Sequence, residues 1–332
     1  MSEFFDRLQT FLRLRRCESA IETLTADAST REYFRIAWAG RTAVACVYPT
    51  AAAFSYQTYL DVTQLFLAGG LPVPEILDFD DDLLIVIQED LGDRILRDAM
   101  LEADAVLRSR LRDEAITMIA RVQTATVRAF ETESIASSQK FDREKLEWEL
   151  NFFKTHYFES YLQRPLLPQD NTRLSAEFVE LATELESFAT VLCHRDFHAA
   201  NLMLDARNKM RIIDHQDARI GSPSYDLVSL LLDRITHLPS TEWLAKKRKY
   251  FLDVRQKLGL ARLDEDAFAY EFRLQTIQRC LKAAGTFSFQ SANRDKQYFI
   301  PFIKPMFAIS IRGAESLGRF PAIREILGRE MD

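Results

Sequence analysis

The chain has 332 residues, with 43 lysines and arginines against 49 aspartates and glutamates, for a formal net charge of −6. With 47% apolar and 28% charged residues, global disorder is excluded, and the acidic balance speaks against a nucleic-acid partner. Only 10 glycines are present, which points to a largely helical chain and away from a glycine-rich phosphate loop of the usual kind. Cys17, Cys46, Cys193 and Cys280 have neither zinc-site nor disulfide-framework spacing and suit a reducing compartment. The N-terminal segment lacks the apolar core of a signal peptide, and no apolar run approaches the length of a membrane span. A soluble, cytoplasmic protein without membrane or nucleic-acid partners is expected.

Phe4, Phe5, Leu8, Phe11 and Leu12 recur at helical spacing and predict an amphipathic first helix. Tyr33–Trp38 and Thr42–Tyr48 are β-prone runs around Ala39-Gly40-Arg41 and read as an antiparallel hairpin. A helix over Ala52–Leu67 is expected to end at Gly69-Gly70. The segment LPVPEIL should be extended, because each proline disfavours helix in the residue before it. Leu83–Gln88 reads as a buried strand, and Glu89-Asp90-Leu91-Gly92 as the hinge where the chain leaves it. From about Arg94 the pattern is mostly helical, with one interruption. There a loop over His194–Asn201 is followed by strands Leu202–Leu204 and Met210–Ile213, joined by a turn at Asp205–Lys209. Helix then resumes, broken near Pro239 and around Gln290–Pro305. The basic run at 246–249 reads as a solvated helix face.

The strongest chemical signal is the run His194-Arg195-Asp196-Phe197-His198-Ala199-Ala200-Asn201, which carries the H-R-D-x-x-x-x-N pattern of protein kinases and their relatives. Phosphoryl transfer needs a carboxylate beside the acceptor hydroxyl and oxygen ligands for a magnesium ion that neutralises the phosphates. Asp196 suits the first role. Asn201, five residues on, and Asp214, after the second hairpin strand, suit the second. The triplet Asp214-His215-Gln216 stands where a kinase has Asp-Phe-Gly. His194 and His198, at i and i+4, lack the helix and glutamate of a zinc motif and read with Arg195 as scaffold for the loop. Asp226 opens a helix after Gly221-Ser222-Pro223, either as a helix-start carboxylate or as support for the loop backbone.

The nucleotide side is less regular. Ser29 and Thr30 precede the first long strand and could meet phosphate, although Ser29 to Glu32 also fits a capping box. The hinge residues Glu89, Asp90 and Leu91 should lie nearest the adenine, with Leu202 or Met203 below the ring. No lysine occurs before Lys140, so the phosphate-pairing lysine of a kinase third strand is missing from AVACVYP. Either an arginine supplies that charge, with Arg31 and Arg35 the candidates, or nucleotide is not bound productively. On the acceptor side, Asp217 stands three residues past Asp214, to accept from hydroxyls of the substrate or as a turn former. Arg279 and Lys282, at i and i+3, could share a face toward an acidic substituent of the substrate or form an exposed basic face.

Together, DASTREYFR (27–35), AGGLPVPEIL (68–77), EDLGD (89–93), HRDFHAANLML (194–204), IDHQDARIGSPSYDLVSLL (213–231), QRCLKAAGTF (278–287) and NRDKQYFIP (293–301) resemble the aminoglycoside phosphotransferase-like branch of the kinase superfamily. Within it, the chain is most similar to the anomeric kinases of N-acetylmuramate and N-acetylglucosamine, which also lack the third-strand lysine. His215 departs from the aromatic that this family commonly carries between its Asp and Gln. The resemblance implies an α+β, two-lobed, protein-kinase-like fold. Residues 1–91 would form a nucleotide-binding N-lobe and residues 92–332 a helical C-lobe with the catalytic loop and acceptor site, with ATP between them. It further implies a magnesium-dependent, ATP-consuming sugar kinase in cell-wall sugar recycling. A kinase of another small alcohol, such as an aminoglycoside, choline or homoserine, and a pseudokinase that binds without turnover are the other readings.

Overall fold

The computed structural model describes residues 3–24, 31–50 and 56–331. In chain order, its strands are β1 (Glu22–Leu24), β2 (Glu32–Trp38), β3 (Arg41–Val47), β4 (Ile76–Asp80), β5 (Ile85–Glu89), β6 (Val191–Cys193), β7 (Leu202–Leu204), β8 (Met210–Ile212) and β9 (Arg219–Gly221). The chain forms two compact units, Met1–Ala103 with Ala200–Asp217, and Asp104–Ala199 with Ala218–Asp332. The sequence reading divides the chain at 91, whereas this grouping also draws 92–103 and 200–217 into the first unit.

The first unit is built on an antiparallel sheet of order β1-β2-β3-β5-β4. Helix α1 (Glu3–Leu14) buries Leu8, Phe11 and Leu12 against Phe34, Ile36, Ala43, Ala45, Val47, Ile85 and Ile87. On the sheet's alternate positions, Cys46, Tyr48 and Val86 pack with Tyr59 of α2 (Tyr56–Ala68). Because strand side chains alternate, a central strand covered on both faces must be apolar throughout, and β3 is buried from Ala43 to Val47. The turn between β2 and β3 has two residues, Ala39 and Gly40, both at positive φ (48° and 82°), while Arg41 already pairs with Trp38. That is the backbone of a type I′ hairpin, and Gly40 adopts it without strain. The expected start of α2 at 52–55 lies outside the described residues.

A short helix, α3 (Leu96–Glu102), and the β7–β8 hairpin complete this unit. The hairpin is fastened by Leu204 N–H to Arg94 O at 2.8 Å and by Ile212 N–H to Pro72 O at 2.9 Å. The extended prolyl segment thus serves as a partner for β8.

The second unit is mostly helical. Its helices are α4 (Ala105–Thr124), α5 (Thr126–Glu131), α6 (Ile135–Ser138), α7 (Arg143–Lys154), α8 (Pro168–Ser187), α9 (Tyr225–Leu232), α10 (Thr241–Lys257), α11 (Glu265–Asn293), α12 (Ile303–Leu317) and α13 (Pro321–Arg329). Asp104, Asp142, Ser240 and Asp264 cap α4, α7, α10 and α11, each accepting from the N–H three residues on. The long α11 packs against α12, α7 and the π-helical turn Thr155–Tyr161 that extends α7. At Gly285 of α11, an added Cβ would lie 2.6 Å from the Phe153 Cα of α7, so only glycine permits this approach. The basic run on α10 is not uniformly solvated: Lys246 and Lys249 are exposed, but Lys247 is buried against Asp113 at 2.5 Å. Strands β6 and β9 pair antiparallel within this unit and lead into the loop after Cys193 and into α9 respectively.

Candidate active site

In the second unit, β6 delivers the chain directly into His194-Arg195-Asp196. Arg195 is held at φ 86°, a conformation that L residues avoid. Asp226, in the first turn of α9 and fully buried, holds it there by accepting His194 N–H at 2.7 Å and Arg195 N–H at 3.0 Å. Backbone strain of this kind persists only where surrounding bonds over-determine it. Burial pushes the Asp226 carboxyl above its usual range despite those two donors. The buried His194 ring meets Phe197 edge to face, with centroids 5.5 Å apart, which packs the loop from inside. His198 is half-buried.

Asp196 meets three cations. Lys282 Nζ lies 3.1 Å from Oδ1, Arg279 Nη2 3.9 Å from the same oxygen, and Arg195 Nε 3.8 Å from Oδ2. Burial alone would raise this carboxyl, but Lys282, Arg195 and Arg279 together hold it well below the usual carboxylate range. For Lys282 the balance is reversed: burial lowers the ammonium against the support of Asp196. Arg279 is 7% exposed, which corrects the expectation of an exposed basic face. It donates to Tyr225 Oη at 3.0 Å and to Ser229 Oγ, and its guanidinium sits over the Tyr225 ring. Tyr225 and Ser229 escape sequence reasoning because they lie about fifty residues before Arg279. The available hint is a cation set between the apolar Ile277, Cys280 and Leu281.

In the first unit, Ile213 N–H donates to Asn201 O at 3.1 Å, tying the last residue of the His194–Asn201 run to the end of β8. Asp214 follows at φ 62°. Its Oδ1 accepts from Arg31 Nη2 at 2.6 Å and from Gln216 Nε2 at 3.0 Å. Arg31 is the residue before β2, and its guanidinium lies over the rings of Tyr33 and Tyr48, 5.7 and 5.4 Å from their centroids. Burial opposes its charge, but Tyr33, Asp214, Cys46 and Tyr48 raise its pKa further above the ordinary arginine value. Cys46 belongs to β3, paired with Tyr33, and burial pushes its thiol up to about 11 against the opposing pull of Arg31. A cation therefore reaches the end of β3 from the neighbouring strand, where β3 itself supplies only apolar side chains.

Arg35 is engaged differently. It donates to Asp90 at 2.8 and 3.3 Å and to Asp93 at 2.6 Å, so of the two candidate arginines it is Arg31 that faces Asp214. The Glu89 carboxylate is occupied by Arg211 of β8 through bonds of 3.0 and 2.6 Å, and the Glu89 N–H donates to Glu75 O at 2.9 Å. Leu91 is buried, and Asp217 is half-buried in the turn after β8. Ser29 and Thr30 lie outside the described residues. His215 is fully buried, stacked near Tyr59 and Phe66 of α2, with Nε2 2.6 Å from Thr63 Oγ1. It thereby anchors the Asp214 segment to α2.

The donor set fits a hard divalent cation. Among the described residues no three His, Cys, Asp or Glu side chains form a closed metal cage. One carboxylate (Asp214) with one amide (Asn201) would be the sparse oxygen set that suits magnesium, whose remaining positions go to water and substrate phosphates. Gln216 Oε1, whose amide nitrogen donates to Asp214, is buried with no hydrogen-bond partner among the described residues and would offer a further oxygen.

The fold is that of the aminoglycoside phosphotransferase and choline kinase class. Choline kinase LicA from Streptococcus pneumoniae superposes with a TM-score of 0.62 at 12% identity, over 95% of this chain and 100% of that one. The chain belongs to the phosphotransferase enzyme family, whose pattern matches residues 20–265, and it is a phosphotransferase that acts on an alcohol group. It is 31% identical over 311 residues, 92% of this chain and 90% of the relative, to the N-acetylmuramate/N-acetylglucosamine kinase of Neisseria meningitidis serogroup B. It is 27% identical over 267 residues, 80% of this chain and 75% of the relative, to the kinase of the same name from Pseudomonas aeruginosa. Among the described residues no helix is long and apolar enough to cross a membrane.

Proposed function

We propose that this protein is an ATP- and magnesium-dependent sugar kinase that phosphorylates the anomeric C1 hydroxyl of an amino sugar such as N-acetylmuramate or N-acetylglucosamine. The reaction would serve the recovery of cell-wall amino sugars in the cytoplasm. Similarity along 92% of the chain to a kinase named for those two sugars carries the acceptor class. Asp196 orients the acceptor hydroxyl and receives its proton, on a backbone fixed by Asp226. Asp214 and Asn201 hold the magnesium ion, which neutralises charge on the donor phosphates when bound. Arg31 takes the part of the missing strand lysine, and its fork geometry suits phosphate oxygens as it suits the Asp214 carboxylate. The absent lysine, taken alone, favours a non-catalytic binding module, whereas the Arg31 cation at Asp214 supports the catalytic reading.

The test is ADP release followed over amino sugars, aminoglycosides, choline and homoserine, with Asp196→Asn as control. Turnover on the amino sugars that falls at least about a hundredfold in Asp196→Asn supports the proposal. Turnover only on choline or an aminoglycoside, or undiminished turnover in Asp196→Asn, refutes it.

A further inference from the structure

We propose that Lys282, backed by Arg279, is the specificity-determining residue that matches Asp196 to the hydroxyl of a hemiacetal carbon rather than to that of an ordinary alcohol. The proposal rests on the sugar-kinase reading above and deepens it.

A phosphotransferase carboxylate needs no lysine beside it to be ionised at neutral pH. Here α11 nevertheless places the Lys282 ammonium 3.1 Å from Asp196 Oδ1 and the Arg279 guanidinium 3.9 Å from the same atom. Arg279 is locked by Tyr225, Ser229 and its place over the Tyr225 ring, so its charge is a fixed part of the site. Among the described residues, charged and titratable groups around the pair come from several elements, Arg219 of β9 among them. The loop contributes Arg195 and His198, α11 contributes Arg279 and Lys282, α7 contributes Glu149 and Lys145, and α9 contributes Asp226. Glu149 offsets part of the positive charge and is itself bonded to Gln278 of α11 at 2.8 Å. The sum at Asp196 remains strongly cationic.

The consequence is chemical. In the transfer step the acceptor O–H bond breaks and its oxygen bonds to the γ-phosphorus. The bond from that phosphorus to the bridging oxygen breaks, ADP leaves, and the proton goes to the Asp196 carboxylate. A carboxylate so stabilised as an anion is a weak proton acceptor, and proton transfer is efficient only when donor and acceptor are matched. An ordinary alcohol is a poor partner for it. A hemiacetal hydroxyl is a better one, because the ring oxygen withdraws electron density and makes that hydroxyl more acidic.

The experiment uses the full chain with Lys282→Met, which keeps the stem and removes the charge, and Lys282→Arg, which keeps the charge. Lys282→Gln serves if the methionine variant does not fold. The Asp196 carboxyl is titrated by carbon-13 NMR in aspartate-labelled protein without sugar, its signal assigned by its loss in Asp196→Asn. The pH profile of kcat/KM is then measured with N-acetylglucosamine. The proposal expects the titration and the acid limb of the profile both to move up by about one pH unit or more in Lys282→Met, and both to stay in place in Lys282→Arg. An unmoved titration overturns it. So does a moved titration with an unmoved limb, in which loss of activity appears only as a raised sugar KM, because Lys282 would then be a clamp on a sugar substituent. If the titration moves but the wild type transfers nothing to a hemiacetal hydroxyl, the sugar-kinase reading fails, and the match to that acceptor is overturned with it.

Discussion

Replacing Asp226 probes how the catalytic loop is held. Its two oxygens accept the buried N–H groups of His194 and Arg195 at 2.7 and 3.0 Å. Truncation to alanine strands both donors, at about 1–3 kcal/mol each, so the folded state should lose about 2–6 kcal/mol. That is a large share of the roughly 5–15 kcal/mol that stabilises a typical domain. Asp226→Asn is the gentler probe: its carbonyl oxygen still accepts one bond, but its amide turns a donor toward the other N–H, for a loss of about 1–3 kcal/mol. Arg195 at φ 86° then has less to hold it, and Asp196, the next residue, shifts with it. Urea denaturation and steady-state kinetics on Asp226→Asn should show a lower midpoint and a kcat reduced at least about tenfold, with little change in KM for ATP. Wild-type stability and kcat in this variant would refute the reasoning.

Substitutions at four further positions test other parts of the account. Arg31→Met should raise KM for ATP by about tenfold to a hundredfold, the worth of a charge-assisted bond of about 1.5–3 kcal/mol. Arg31→Lys should recover only part of this in the same kinetic assay, because an ammonium lacks the planar fork. His215→Ala removes the stack with Tyr59 and Phe66 as well as the Thr63 bond, and should weaken half-saturation by magnesium more than His215→Phe does in a metal titration. Arg211→Met removes the cation beside Glu89 and one donor each to the carbonyls of Pro72 and Val73, and should lower the thermal midpoint, read by calorimetry. Gly285→Ala sets a Cβ 2.6 Å from the Phe153 Cα and should cost about 1–3 kcal/mol in urea denaturation.

Much of the fold is legible where one element carries its own period. Helix α1 is visible in the spacing of Leu8, Phe11 and Leu12, and the β2–β3 and β7–β8 hairpins in short β-prone runs around turn residues. Strands β1, β6 and β9 are not legible: like β7 and β8 they have three residues each, too few to show alternation, but no turn signal in the sequence links them to a partner strand. For β6, the run VLC also merges with the helical pattern before it. The loop residues Asp196 and Asn201 stand out because their spacing is local. The setting of Asp196 does not, because Lys282 lies 86 residues away and only the packing of α11 brings them together. The same holds for Arg211 and Glu89, 122 residues apart. Arg31 is a middle case: the missing lysine directs attention to it, but the sequence has no means of choosing it over Arg35.

The most direct test of the central claim is phosphorus-31 NMR of the products formed from magnesium ATP and N-acetylglucosamine or N-acetylmuramate. The account predicts ADP together with a sugar phosphate whose phosphorus couples to the anomeric proton, formed by the wild type and absent with Asp196→Asn. A phosphate on any other hydroxyl, or no sugar phosphate while another alcohol is phosphorylated, would contradict it.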